Sequence, residues 1–220
     1  GRVDQRLMYL VPDAAEVWKD VVDARTYKQY EHCQEALEKF LSSDVWTKFC
    51  KEKAPDGAVE FGAGSASKDL MIIRSLDDLV PDPPAKLSYA LVDYSIYMLQ
   101  HSERIIQKDL RNDPPSRTVY VEALHKDFMS LKPWRVLRRK GTPVAWFITG
   151  GTIGNINEND FLHSVARRAE PGDLLMVSME TIPPEAKTPE GRLAFKKGLR
   201  EKYNHKALQQ LLRPSLAAIW

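Results

Sequence analysis

The sequence predicts an open, mostly parallel α/β sheet with helices on both faces and a helical segment in front of it. Three observations predict this. Five short strand-like runs alternate with helical stretches, as the crossovers between parallel strands require. The run Val144–Thr149 is apolar without interruption, the mark of a strand buried on both faces. Two strand-like runs empty into glycine turns, Gly62–Gly64 and Gly150–Gly154, where the backbone must bend tightly or approach a ligand closely.

Composition sets the limits. The 220 residues suffice for one α/β domain with an appendage, and the apolar fraction of 43% supports a sizeable core. We divide the chain into a helical N-terminal segment, residues 1–56, and an α/β core, residues 57–220. With 32 basic and 30 acidic residues, the net charge of +2 gives no general attraction to nucleic acid or to an anionic membrane. No apolar run is long enough to span a bilayer, and no secretory-signal pattern opens the chain. The sequence opens on Gly1 rather than methionine, which reads as trimming or processing. Cys33 and Cys50 read as reduced thiols of a cytoplasmic protein. No cysteine or histidine cluster has metal-ligand spacing, so no metal is expected. No hydrolase elbow, metalloprotease helix or phosphate-loop motif is present.

The elements follow in order. Ala14 to Lys53 reads as helical, with one apolar face at Val17, Trp18, Val21 and Val22 and another at Ala36, Leu37, Phe40 and Leu41. Ser43 and Asp44 cap a further short helix with Val45, Trp46 and Phe49. Between the first two faces lie Tyr27 and Tyr30, which either bury their rings with wet hydroxyls or lie across a pocket mouth and meet a substrate. Pro55 and Gly57 mark a linker into the first strand, which carries Val59 and Phe61. Gly62 and Gly64 follow it, and Ser67 is read as the cap of a helix with Leu70, Ile73, Leu76 and Leu79 inward. This strand–glycine–helix unit offers backbone N–H groups to a nucleotide-like ligand. Glu60 is either a solvated charge or an acceptor for a ligand amine or ribose.

A proline loop at residues 81–84 leads into a second strand, Leu87–Val92, that ends at Asp93. An acid there either meets a helix dipole or accepts from both hydroxyls of a ribose. Ser95 starts a helix with Ile96, Leu99, Ile105 and Ile106 inward. Thr118–Leu124 alternates as a third strand and runs into Asp127 and Phe128. That pair suits an adenine, the acid accepting from its amine and the ring packing on its face; otherwise it is a loop acid and a core aromatic. Lys132 to Lys140 is basic and reads either as a solvated face or as a phosphate contact. After the fourth strand and its glycines, Asn157 caps a helix with Phe161, Leu162, Val165 and Ala169 inward. Pro171-Gly172-Asp173 turns the chain into a fifth strand, Leu174–Met179. Thr188-Pro189 starts a last helical stretch, with Leu208, Leu211 and Leu212 continuing an apolar face.

This order of parts resembles the Rossmann-like methyltransferases that use S-adenosylmethionine (SAM). More narrowly, it resembles the histidine-specific Nα-methyltransferases of the ergothioneine type. Four motifs carry the resemblance: Glu60 through Lys68 against E-x-G-x-G-x-S-x-K, with Ala66 at the serine position; Val92, Asp93 and Ser95; Asp127 with Phe128; and Gly150 to Asn155 as G-S-T-I-G-N, with Gly151 replacing the serine. The resemblance spans about Tyr27 to Leu212. It implies that Gly62, Lys68, Asp93, Asp127 and Phe128 hold SAM, with Glu60 and Gly64 in the same turn. Gly150 would line the pocket between cofactor and substrate. Asn155 would bind an amino-acid carboxylate, and Tyr30 would stand nearest the family's substrate tyrosine.

The resemblance also implies a closing antiparallel strand pair, and an acid gripping the histidine, beyond Trp220. Either more chain follows or the acceptor site differs. The strand pair's absence would leave an exposed sheet edge through which an oligomer could form. The expected activity is SAM-dependent N-methylation of an amino acid or small amine, with the cofactor supplying an activated methyl and the protein aligning it. No catalytic base is assigned. Two alternatives stay open: a different acceptor, such as a protein or natural product, or a non-catalytic Rossmann-like binding domain. A nicotinamide oxidoreductase is disfavoured, because Ala66 and Ser67 stand where the third fingerprint glycine would fall.

Overall fold

A computed structural model describes residues 14–23, 28–81, 86–127, 141–179 and 184–203. Tyr27, Phe128, the basic stretch Lys132–Lys140 and the leucines at 208, 211 and 212 lie outside the described residues. Five strands form one sheet: β1 (Gly57–Phe61), β2 (Lys86–Asp93), β3 (Thr118–His125), β4 (Val144–Ile148) and β5 (Leu174–Val177). Their spatial order is β3-β2-β1-β4-β5, and every pair is parallel. The helices are α1 (Ala14–Asp23), α2 (Lys28–Leu41), α3 (Asp44–Lys53), α4 (Ser67–Leu79), α5 (Ile96–Asn112), α6 (Glu158–Ala166) and α7 (Pro189–Tyr203). The expected open parallel architecture is therefore present.

The period-2 rule assigns each strand residue to a face. Ala58, Leu87, Tyr89, Leu91, Ala145 and Phe147 join one apolar cluster, with Leu37, Trp46, Ile73, Leu76, Leu99 and Ile106 from α2 to α5. Val59, Phe61, Ala90, Val92, Trp146 and Ile148 join the other, with Phe161 and Val165 of α6. Helices thus cover both faces. β1 and β4 are buried along their whole length, as the apolar run in β4 predicts. Glu60 shares the α4 face of β1 with Ala58, so the alternation itself buries a carboxylate.

Three caps match their sequence signals. Ser43, Ser95 and Asn157 each accept backbone N–H bonds at the starts of α3, α5 and α6. Three expectations do not hold, one of a cap and two of an inward face. Ser67 is the first helical residue of α4 rather than its cap; Ala66 occupies the cap position with φ +67° and makes no side-chain cap bond. Ile96 is 37% exposed, because it opens α5 at the edge of the sheet where β2 has already ended. Leu162 is 44% exposed, because Phe161 and Val165 define the buried stripe of α6 and Leu162 lies about 100° around the helix from Phe161. The two thiols, Cys33 and Cys50, are buried and unbridged, and burial pushes Cys50 up to about 12.

Asp173 locks the turn before β5 to β4. Its carboxylate accepts from Val144 N–H and Trp146 Nε1–H, both at 2.8 Å, and from Glu170 N–H at 3.0 Å. Replacing it by alanine leaves a buried indole donor without this acceptor. We expect Asp173→Ala to lower stability by about 2–3 kcal/mol in urea unfolding; a loss below about 0.5 kcal/mol would show that these bonds carry nothing.

Candidate functional site

Parallel strands send all their loops of one kind to one end, and here the carboxyl ends of β1, β2 and β4 gather polar groups. The first group is buried between β1, α4 and the end of β4. Glu60 Oε1 accepts from Thr149 Oγ1, which in turn accepts from Lys68 Nζ at 2.5 Å. Lys68 Nζ also lies 3.9 Å from Glu60 Oε1. All three residues are buried, and Glu60 Oε2 has no hydrogen-bond partner among the described residues. Burial drives the Glu60 carboxyl well above its ordinary range, against the pull of Lys68. The adjacent Asp69 is raised for the same reason, although it accepts from Tyr89 O–H at 2.9 Å.

The second group is the glycine turn. Gly62 holds φ +90°, and its N–H extends the ladder to Val92 C=O at 2.9 Å. A Cβ at Gly62 would sit 2.6 Å from Thr152 Oγ1, so only glycine fits. Gly150 holds φ +72°, and a Cβ there would lie 3.4 Å from Lys68 Nζ. Ala66, at φ +67°, adds a left-handed non-glycine residue to the same turn at a cost of about 1 kcal/mol. The turn is clamped from two sides. Tyr30 hydroxyl on α2 bonds to Ser65 Oγ and, at 2.5 Å, to Ser67 Oγ, and Gln34 Nε2 donates to Ser67 Oγ at 3.2 Å. Ser102 Oγ on α5 donates to Gly64 C=O at 2.9 Å. The Trp18 ring of α1 stands edge-on to Tyr30, their centroids 6.5 Å apart.

The third group stands at the end of β2. Asp93 accepts from Ser95 N–H at 2.7 Å and from the N–H groups of Ala63 and Tyr94. Burial nevertheless raises its carboxyl to about 7, those N–H bonds opposing. His125, at the end of β3, donates from Nε2 to Tyr94 C=O at 2.9 Å. Asp127 follows two residues later and is partly buried.

The structure thus brings Glu60, Gly62, Gly64, Lys68, Asp93, Gly150 and Tyr30 to one edge of the sheet. Asp127 lies one strand further out. Asn155 ends the short 3₁₀ turn Thr152–Asn155 that follows the second glycine loop. Thr149, Ser65, Ser102 and Gln34 were not singled out from the sequence, and Ser67 reads there only as a helix cap. Thr149 carries a usable signal, since a hydroxyl directly after a buried strand needs a partner.

These residues fit an adenosyl sulfonium with an amino-acid tail. The glycines leave room for close backbone approach, Glu60 keeps a buried acceptor oxygen uncommitted, and Asp93 presents a carboxylate at the strand edge. The parallel sheet with helices on both faces is a Rossmann-like α/β fold. The chain belongs to the family of histidine-specific, SAM-dependent methyltransferases, whose model matches residues 14–214. Among solved structures it is similar to the StiE O-MT, at 14% identity over 84% of this chain and 69% of that one, with a TM-score of 0.42. It is also similar to a SAM-dependent methyltransferase from Thiobacillus denitrificans in complex with S-adenosyl-L-homocysteine, at 15% identity over 79% and 74%, TM-score 0.39. A cyclase, SpnF, matches at 14% identity over 80% and 66%, TM-score 0.39. No curated protein sequence matches the chain. Among the described residues no helix is long and apolar enough to cross a membrane.

Two expectations follow. Gly62→Ala should destabilise the fold by about 2–3 kcal/mol in chemical unfolding, through positive φ and the Thr152 clash. The double variant Gly62→Ala/Thr152→Ala should recover part of that loss; no recovery would mean that the clash is not the cause. The second concerns pH. An acid raised from 3.8 to about 7 takes up a proton on folding across that interval. Its stabilisation is full at the acid end and lost as pH climbs through about 7. Asp93→Asn should therefore gain stability relative to the parent between about pH 5 and pH 8, and a constant difference would disprove the shift.

Proposed function

We propose that this protein methylates the amine nitrogen of a histidine-like amino acid, using SAM. The observation that supports it most directly is the family match, read together with the Gly150–Asn155 loop beside Lys68 and Glu60. Bound SAM supplies a methyl group on a sulfonium, already activated for displacement. The protein's part is then to bind, orient and exclude water.

In this reading Gly62 and Gly64 let the backbone of the turn approach the cofactor closely, and Asp93 accepts from its ribose hydroxyls. Glu60 offers a buried acceptor to the cationic end of the amino-acid tail, while Lys68 offers a positive charge next to Gly150. Asp127 and Phe128 receive the adenine. Gly150 separates cofactor from acceptor, and Asn155 binds the acceptor's carboxylate. Tyr30 belongs to the N-terminal segment, residues 1–56, which serves as the acceptor-side lid. Its hydroxyl meets the acceptor once it leaves Ser65 and Ser67. The acceptor amine must be unprotonated to attack, and solvent can take that proton. The acceptor is a small molecule, and neither nucleic acid nor membrane is part of the reaction.

Both oxygens of Asp93 accept strongly from the ribose hydroxyls only when it is ionised. SAM affinity should therefore rise about tenfold between about pH 6 and pH 8, and Asp93→Asn should lose both affinity and pH dependence in calorimetry. Mass spectrometry of L-histidine incubated with enzyme and SAM should show methylated product. Heat of SAM binding without histidine methylation would reject the acceptor and keep the cofactor site; no heat would reject both.

A further inference from the structure

The opposite end of the sheet holds a second candidate. A cavity of about 580 Å³ lies between the last turn of α5 and the first residues of β3. Arg117, the residue before β3, is in its wall and only 5% exposed. The nearest acid is Asp77 near the end of α4, whose Oδ1 lies 3.6 Å from Arg117 Nε. That carboxylate is already committed: Oδ2 accepts from Ser116 N–H at 2.7 Å and Oδ1 from Ser116 Oγ at 2.8 Å. None of the three guanidinium nitrogens has a hydrogen-bond partner among the described residues.

A guanidinium has five N–H donors, and buried charged groups are as a rule both paired and hydrogen-bonded. Burial pushes Arg117 below its ordinary range, while the carboxylates of Asp77 and Asp56 hold the charge on it. Arg111, exposed on α5, lines the same cavity. Tyr120 lines it too and carries Lys86 Nζ 5.1 Å from its ring centroid. Two arginines, Arg117 and Arg111, therefore line one concave site, and Lys86 stands over the ring of a third lining residue. At about 3.3 Å per residue, β3 puts this site about 20 Å from the carboxyl edge.

We propose that this cavity binds a small oxyanion, a carboxylate or phosphate monoester, on the guanidinium groups of Arg117 and Arg111, separately from the methyl-transfer site. The planar fork of arginine matches two oxygens of such a group. The Arg117 nitrogens lie beneath the cavity surface, so binding includes a rotation of that side chain toward Arg111.

The test uses inorganic phosphate and succinate as probes at millimolar concentration, too low for general salt stabilisation. Thermal unfolding is followed at constant ionic strength against chloride, with S-adenosylhomocysteine saturating the other site. The parent protein should melt about 3–5 °C higher with at least one probe. Arg117→Gln and Arg111→Gln should each lose most of that shift, with S-adenosylhomocysteine affinity unchanged in Arg111→Gln. Arg111 is on the exposed rim, so its variant reads the site even if Arg117→Gln does not fold. No shift with either probe, or a full shift in Arg111→Gln, would overturn the proposal.

Discussion

A single buried hydroxyl organises the carboxyl edge. Thr149 donates to Glu60 and accepts from Lys68, and so joins β1, α4 and the end of β4 in one contact. A carboxylate and an ammonium taken from water cost several kcal/mol each unless their hydrogen bonds are replaced. The threonine replaces one on each side. Without it, Lys68 would meet Glu60 only from 3.9 Å, and neither charge would be well held. The two glycine loops are close together because their strands are neighbours and these side chains fix their ends.

The glycine turn itself is held by parts distant in sequence. Tyr30 reaches it from α2, and Ser102 from α5. Gly62 and Ala66 both occupy left-handed backbone, a conformation that persists only where surrounding contacts over-determine it. The clamp supplies those contacts. It also makes the N-terminal helices part of the same unit as the glycine turn, since Leu37 and Trp46 enter the apolar cluster that underlies β1 and β4.

The two ends of the sheet handle charge differently. At the carboxyl edge, backbone N–H groups and a lysine surround acids whose burial raises them, which leaves Asp93 poised near neutral pH. At the amino edge, acids surround an arginine whose donors outnumber the acceptors offered. Both are departures from full polar satisfaction, and such departures concentrate where a ligand completes the set.

The sequence by itself determined the sheet, because strand burial and helix caps are local signals. The apolar run of β4, the alternation at the start of β3, and the cap residues Ser43, Ser95 and Asn157 all acted as their chemistry predicts. It also marked Glu60, Gly62, Asp93 and Gly150, since acids and glycines at strand ends are costly without a purpose. Only the tertiary structure decided what joins them. Thr149 and Glu60 are 89 residues apart in the chain, and no local rule says that β4 lies beside β1. Ser67 reads as a helix cap, yet its hydroxyl faces Tyr30 and Gln34, because a distant donor and acceptor outcompeted the local N–H. Pairing of this kind depends on which elements become neighbours, and that is a property of the whole fold.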